Sequence, residues 1–278
     1  MNRILKIVLW SILALGVITA LIFTNIYHQN KVCNSLEIKI DYKGADAFLV
    51  EDEVKAYLYK KNDSIIGRKI SEINENLIEC ILNDNPYVYS AEVFVSFNAD
   101  VNINLSQRRP LVRIINKQNQ QFYLDDKGVK MPVKENCPAR LVIANGNISA
   151  VYTPFMSSVS SQRDDTLNLM KDTVLYSIYK IAEFLSRNDF FNAQIEEIFV
   201  NENKEIELFP KLGDQIIILG SIENLEDKFS KLMVLYKEGF NKIGWDKYSI
   251  INLKYNNQVV CTKRSDIDKN VSSGNSKN

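Results

Sequence analysis

The side chains best suited to chemistry in this chain are three pairs of neighbouring carboxylates. Two carboxylates at a suitable separation can act as acid and base in glycoside hydrolysis. The pairs are Asp125/Asp126, Asp164/Asp165 and Glu196/Glu197. Their sequence contexts indicate structural roles, namely a hairpin turn, an N-terminal helix cap and a solvated strand edge, in that order. We therefore expect no glycosidase chemistry from these pairs.

Other catalytic arrangements lack the necessary residue types. The chain has one histidine, His28, which lies where an apolar run meets polar residues. Because the region after His28 has no histidine, that region can form neither a Ser/His/Asp triad nor a histidine-based metal site. The ten glycines are scattered, and none forms a phosphate-binding loop. The sequence therefore predicts a protein that is not an enzyme, with no catalytic residues, no cofactor and no metal.

The four cysteines are even in number, but they are widely spaced. Their separations fit neither a CxxC pair nor a zinc site. Cys80 shares the apolar face of a predicted helix with Ile73, Leu77 and Ile81, which predicts that its thiol is buried. Four cysteines permit three complete pairings, and the sequence selects none of them. The residues are Cys33, Cys80, Cys137 and Cys261.

An uncharged segment near the N-terminus predicts a membrane anchor. Residues Ile7 to Tyr27 carry no charge, and at about 1.5 Å per residue they can cross a bilayer core of roughly 30 Å. A cleaved signal peptide is the alternative. Its apolar region is usually only about 7–15 residues long and ends at a small-x-small site, whereas this run leads into His28-Gln29-Asn30-Lys31. We predict an uncleaved helix over residues 7–27.

Charge places the short N-terminus in the cytoplasm. Arg3 and Lys6 precede the anchor without an acidic neighbour, which favours a cytoplasmic stub of residues 1–6 and a large domain outside. Across the whole chain, 34 Lys and Arg balance 34 Asp and Glu. No net field therefore attracts nucleic acid, and we expect partners to be recognised through shape and backbone pairing.

The region after the anchor has the order strand, helix, helix, strand, strand. Leu36 to Ile40 alternates as a half-buried strand does, and Glu51, Asp52 and Glu53 begin a helix. The second helix is predicted to begin at Ser71 as N-cap, with Ile73, Leu77, Ile81 and Leu82 along one side, and to end at Asn85-Pro86. Two alternating runs around Asn98-Ala99-Asp100 predict a hairpin. These runs are Val88 to Phe97 and Val101 to Leu105.

The remaining region predicts a second α+β layer. Its elements, read from apolar periodicity and turn residues, are strands at Arg113–Asn116, Gln121–Leu124 and Val129–Val133, a polar loop at Ser157–Asp165, a helix at Thr166–Arg187, strands at Ile195–Val200, Ile206–Phe209 and Gln215–Leu219, a helix at Leu225–Phe240, and a last strand at Ser249–Val260. The polar residues 263–278 are predicted to form a disordered tail.

Several motifs, taken in order, resemble the FtsQ (DivIB) family of bitopic cell-division proteins. Pro86, Val88, Ala91 and Val93 fit a Pro-x-Val-x-x-Ala-x-Val block, and Arg108 or Arg109 before Pro110 fits the Arg-x-Pro junction that follows. The segment QFYLDDKGVKMPV looks like the family's Asp-x-x-Gly hairpin. Near the end, IILGSIENLEDKFSKLMVLYKEGF and YSIINLKYNNQVV are similar to its Leu-Gly helix and closing strand.

This resemblance implies a transmembrane helix, a small POTRA domain (β-α-α-β-β) over residues 34–108, and a larger α+β domain with a mostly antiparallel sheet over residues 109–262. It also implies a divisome scaffold of the inner membrane, with its bulk in the periplasm and enrichment at the division septum, that helps to coordinate septal wall synthesis. The implied partners are FtsB-like and FtsL-like proteins, with no nucleic acid and no small-molecule substrate. The alternative function is a POTRA-containing factor of outer-membrane protein assembly or secretion.

The resemblance also implies where a partner binds. In the family, an FtsB strand adds to the closing strand, and the matching positions here are Lys254, Tyr255, Asn257, Gln258 and Val259. Tyr255 is the expected anchor because an aromatic ring supplies large contact area at low entropic cost. The alternative role for Tyr255 is that of a core residue.

Overall fold

The fold was described from a computed structural model of the chain. The structure describes residues 3–44, 46–61, 64–134, 139–153, 169–240, 242 and 244–264. The predicted loop at Ser157–Asp165, the pair Asp164/Asp165, Cys137 and the tail after Arg264 lie outside the described residues. The chain divides between Arg108 and Arg109 into two compact units, and each is described by itself.

The first unit begins with a long apolar helix, α1 (Arg3–Gln29). Among the described residues, α1 is the helix long and apolar enough to span a bilayer, with 23 suitable residues from Ile7 to Gln29, none of them buried by protein. Its hydroxyl groups bond within the helix, as in Thr24 Oγ1 donating to the Ala20 carbonyl at 2.8 Å. The Ser and Thr hydroxyl groups of α1 therefore need no partner from the lipid. An N-terminal apolar helix of this kind fits single-pass membrane anchoring.

The extramembrane part of the first unit is a three-stranded sheet with helices. Its strands lie in the order β1-β3-β2, where β1 is parallel to β3 and β2 is antiparallel to it. The elements are β1 (Leu36–Asp41), α2 (Glu51–Lys61), a 3-10 turn (Ile70–Glu72), α3 (Glu75–Asn83), β2 (Val88–Val95) and β3 (Val101–Gln107). The predicted β-α-α-β-β order is confirmed. Val54, Leu58, Ile78 and Leu82 from the helices pack with the strands in one core.

The predicted phase of α3 is wrong. The helix begins at Glu75 and not after Ser71, and its N-cap is Asn74, whose side chain accepts a hydrogen bond from the Leu77 N–H at 3.1 Å. Ile73 is extended after the 3-10 turn, so the apolar periodicity does not run through it. As a result Leu77 is 49% exposed and Ile78 only 1% exposed.

Cys80 is exposed, which contradicts the predicted buried thiol; it lies on the same outward side of α3 as Leu77. Cys33 is buried and Cys261 is half-buried, and all three of these thiols are free in the structure.

The second unit is built on a nine-stranded mixed sheet. The strand order is β12-β11-β10-β9-β8-β7-β4-β5-β6. The pairs β10/β11, β7/β8 and β4/β7 are parallel, and the other five are antiparallel. The strands are β4 (Pro110–Ile115), β5 (Gln121–Asp125), β6 (Lys130–Pro132), β7 (Val142–Gly146), β8 (Ile195–Val200), β9 (Ile206–Pro210), β10 (Ile216–Gly220), β11 (Tyr248–Asn252) and β12 (Val260–Lys263). The predicted α+β class and mostly antiparallel sheet are confirmed.

Helices pack apolar faces into the core of this unit. They are α4 (Thr173–Ser186), α5 (Asp189–Gln194) and α6 (Leu225–Val234), which continues as a π-helix (Leu235–Phe240). Asp172 caps α4 by accepting from the N–H groups of Val174 and Leu175. Between the helices, the ring of Phe229 lies 4.5 Å from that of Phe184 and 4.8 Å from that of Phe191. These aromatic contacts fix α4, α5 and α6 against one another.

Two carboxylate pairs can be placed in this unit. Asp125 is buried, and its Oδ1 accepts from the N–H groups of Lys127 (2.9 Å) and Val129 (2.7 Å), so it holds the β5–β6 turn as predicted. Glu196 and Glu197 lie on β8, which pairs with strands on both sides. The predicted strand edge is therefore wrong, although Glu196 is exposed on the sheet face.

Candidate partner-binding site

The site is best sought at the sheet edges, where backbone N–H and C=O groups can accept an added strand. The two sheets have four outer strands: β1 and β2 in the first unit, β6 and β12 in the second. A partner strand can pair only with an outer strand whose backbone groups are not already protected.

The outer edge of β2 is closed by side chains of α3. Three side chains, one per turn of the helix, accept hydrogen bonds from successive outward-facing N–H groups of the strand. The bonds are Val95 N–H to Glu75 Oε1 (3.0 Å), Val93 N–H to Glu79 Oε1 (2.8 Å) and Ala91 N–H to Asn83 Oδ1 (3.0 Å). These acceptors occupy the positions that carbonyls of an added strand would take.

Two further edges carry features that discourage pairing. Strand β1 presents the exposed charges of Glu37, Lys39 and Asp41 at alternate positions, and charged side chains protect natural edges. Strand β6 has three residues and ends in Pro132, which has no N–H to donate. Neither offers a long apolar template for a partner.

The remaining edge is β12, and its position corrects the predicted closing strand. In place of one strand from Ser249 to Val260, the structure has β11 and an antiparallel β12 joined by residues 253–259. The Lys254 N–H bonds to the Asn252 side chain at 3.0 Å, and Asn257 has a left-handed φ of 57°. Asparagine favours both arrangements, so the chain reverses direction here. Among the described residues, no strand pairs with the outer side of β12.

The five predicted site residues all lie in this connection, which we call the β11–β12 loop (residues 253–259). Lys254, Tyr255, Asn257 and Gln258 are exposed, whereas Val259 packs partly against the core. Tyr255 is 49% exposed and is not a core residue. The loop that leads into the edge strand thus presents an exposed aromatic side chain.

Lysines of α6 hold the β11–β12 loop and the end of β10. Lys231 Nζ donates to the Tyr255 carbonyl at 3.0 Å and pairs with Asp227 at 3.1 Å. Lys228 is buried, and its Nζ donates to the carbonyls of Leu219 (3.0 Å) and Ser221 (2.8 Å). Burial lowers the pKa of Lys228. These contacts give the backbone of the loop a fixed shape without occupying the Tyr255 ring.

Close packing at Gly220 completes this support. Gly220 has a φ of +75°, and a Cβ there would lie 2.8 Å from Cγ of Lys254. The Lys254 side chain crosses the glycine to pair with Glu205. Lys254 is therefore already bound within the chain, and a contact with a partner carboxylate requires exchange with Glu205.

Sequence reasoning missed the pairing element itself. Val260 to Lys263 form the edge strand, whereas the alternation of residues predicts one strand that continues through the loop. The signal that could have separated the strands is Asn256-Asn257, a turn-forming pair. The roles of Lys228 and Lys231 had no local signal, because they depend on where α6 packs.

Potential metal ligands are not clustered among the described residues. In that part of the chain, no group of three or more His, Cys, Asp or Glu side chains could hold a metal ion. A cavity of about 590 Å³ lies at the start of α4, with Lys130, Lys171 and Lys204 in its wall. Its carboxylate, Asp172, is used in capping α4.

Comparison with protein families agrees with this architecture. Residues 31–106 match a POTRA-like domain, and residues 109–262 match the family described as FtsQ/DivIB, C-terminal related. No curated protein matches the chain.

The class of protein is therefore a chain whose N-terminal apolar helix fits membrane anchoring, followed by a POTRA-like domain and a mixed-sheet domain. Proteins with these two domains are typically non-enzymatic scaffolds. The second match covers more than half of the chain, and the protein belongs to the FtsQ/DivIB family, whose role is in cell division.

Proposed function

We propose that this protein is a divisome scaffold that binds an FtsB-like partner by strand addition to β12 and helps to coordinate septal wall synthesis. The observation that carries the proposal is that β12 is an edge strand and that the exposed β11–β12 loop leads directly into it. Family membership supports the cell-division role. FtsL-like proteins would bind together with the FtsB-like partner.

Strand addition fits β12 because a partner needs both backbone groups and a side-chain anchor. Main-chain hydrogen bonds supply affinity, and contacts with alternate side chains supply specificity. Val260 and Lys263 are exposed at the two ends of β12, and Tyr255 is exposed in the loop that leads into the strand. We expect a partner strand to pair along β12 and to cover the Tyr255 ring.

Substitution of Tyr255 tests the anchor. Tyr255→Ala should weaken binding of the soluble FtsB-like segment by roughly 2 kcal/mol, the scale of an interface hot spot, because the ring's contact area is lost. Tyr255→Phe is the matched control, since it keeps the ring, and it should bind nearly as the native chain does. Calorimetric titration measures both. Native affinity of Tyr255→Ala would refute the site.

Hydrogen exchange tests the backbone pairing directly. Addition of the partner should slow amide exchange in Val260 to Lys263, because outward N–H groups gain carbonyl partners. The edge at Lys130 to Pro132 is the internal control and should not change. Protection confined to the POTRA-like domain would instead move the docking site there.

We also propose that α1 is retained, with the N-terminus in the cytoplasm and the bulk in the periplasm. The basic residues before the anchor support this orientation. A protease added to intact spheroplasts should digest the bulk and spare an N-terminal tag. A fluorescent fusion should collect at midcell, whereas a factor of outer-membrane protein assembly would not form a septal ring.

A further inference from the structure

The turn between β2 and β3 carries an unusually exposed aromatic side chain next to the end of α1. Phe97 is 73% exposed, although a phenylalanine of this kind would stabilise the fold by burial. The turn is well formed, with Ser96 N–H donating to the Asp100 carbonyl at 2.8 Å and Ala99 at a φ of 70°. Phe97 is therefore held outward by a defined backbone and does not belong to a frayed end.

Contacts with residues just beyond the apolar run fix the depth of this turn. His28 follows Tyr27 directly, and its Nε2 lies 3.2 Å from the Ser96 carbonyl oxygen. The ring centroids of His28 and Phe97 are 5.6 Å apart. The headgroup layer outside the hydrocarbon core is roughly 5–8 Å thick on each side. Even if the whole 5.6 Å separation lay along the bilayer normal, Phe97 would remain within or next to that layer.

Backbone pairing after α1 keeps the helix end and the turn together. Lys31 accepts a hydrogen bond from the Ile70 N–H at 3.0 Å, and the Cys33 N–H donates to Arg68 at 2.8 Å. The Asn34 N–H donates to the Ala99 carbonyl at 3.2 Å. The segment that leaves the membrane is thus bonded to the domain, and the turn cannot swing away without breaking these bonds.

A cation lies between the aromatic rings at this level. Lys31 Nζ is 5.2 Å from the Phe97 ring centroid and 5.6 Å from that of Tyr27, and it donates to the Phe97 carbonyl at 3.3 Å. An aromatic belt with a neighbouring lysine is typical of residues at the membrane interface. The ammonium group complements lipid phosphates, while the rings complement the acyl chain boundary.

We propose that the β2–β3 turn is a second membrane contact, in which Phe97 enters the headgroup layer and Lys31 binds phospholipid phosphate. This contact would hold the POTRA-like domain against the bilayer in addition to the covalent link through α1. It rests on the proposed anchoring by α1, because that helix sets the depth of the turn.

Fluorescence quenching in nanodiscs tests the contact with the full chain. The native chain has two tryptophans, Trp10 in α1 and Trp245 in the second unit, and a Trp10→Phe background leaves Trp245 as a constant signal. In that background, Phe97→Trp should lose fluorescence when the lipids are brominated near their headgroups. The matched control is Tyr89→Trp, which lies at the far end of β2, about 25 Å from Phe97 at roughly 3.3 Å per residue.

The outcomes separate the two proposals. Loss of fluorescence for Phe97→Trp but not for Tyr89→Trp supports the second contact. Equal signals from the two variants overturn it, provided that Trp10 of the native chain is quenched by lipids brominated in the acyl chains near the headgroups. If Trp10 itself is not quenched, the anchor fails and the second contact fails with it. Circular dichroism of each variant checks that the fold is kept.

Discussion

Adjacent positions of α3 should differ sharply in their effect on stability. Ile78 is 1% exposed in the core of the first unit, and its neighbour Leu77 is 49% exposed. Ile78→Ala removes three carbon atoms, worth about 0.8 kcal/mol each as buried methylene. With the cavity that remains, the expected loss is about 3–4 kcal/mol. Leu77→Ala leaves no enclosed cavity, and its cost should be within about 1 kcal/mol.

The loss at Ile78 is large for so small a domain. At about 0.05–0.15 kcal/mol per residue, a domain that covers residues 31–106 has roughly 4–11 kcal/mol in total. Hydrogen exchange by mass spectrometry measures the loss within this domain alone. The most protected amides of β3 should exchange at least about a hundredfold faster in Ile78→Ala, since each 1.4 kcal/mol is a factor of ten.

Leu77→Ala is the matched control, because it removes the same number of carbon atoms from the same helix. Its exchange rates should stay within about fivefold of the native values. Equal acceleration in the two variants, or a larger effect at Leu77, would show that the helix has the phase expected from the sequence and that the packing argument is wrong.

Two further predictions concern a buried hydroxyl and a protected edge. Burial raises the pKa of Tyr236 above its usual value, so its stabilising contribution is complete below about pH 10 and is lost as the pH rises further. Above about pH 10 the native chain should lose up to about 1.4 kcal/mol of unfolding free energy per pH unit because of Tyr236, and Tyr236→Phe should lack this loss. Urea unfolding followed by Trp245 emission in a Trp10→Phe background measures the slope. An equal slope in the two proteins would contradict the prediction. Glu79→Ala should free the Val93 N–H, so that its exchange accelerates and the chain self-associates in sedimentation velocity, whereas Glu79→Gln, which keeps an acceptor oxygen, should do neither.

The two sheet edges differ in whether side chains occupy the outward N–H groups. On β2, the acceptors come from α3, and their spacing along the helix matches alternate residues of the strand. On β12, comparable acceptors are absent among the described residues, and the neighbouring loop is held by Lys231 through its backbone. A chain that closes one edge and leaves another open can direct strand addition to a single place.

Local sequence determined the apolar helix α1, the element order of the first unit and several strands of the second, but it missed β7 (Val142–Gly146), α5 (Asp189–Gln194) and the separate strand β12. An uncharged apolar run is sufficient to specify α1, because its stability in lipid depends on internal hydrogen bonds and hydrophobicity alone. Alternation likewise specified β8, and it placed β2 and β3 around the Asn98–Asp100 turn. These features depend on residues that are close to one another in the chain, so the local sequence is sufficient to predict them.

Tertiary structure alone decided which strands are neighbours and which face of α3 is buried. β1 pairs with β3 although β2 comes between them in sequence, and β4 pairs with the distant β7. Leu77 and Ile78 are equally apolar, so only the direction from which the sheet approaches the helix selects Ile78. Such choices are set by contacts between distant segments, which the local pattern of residues does not record.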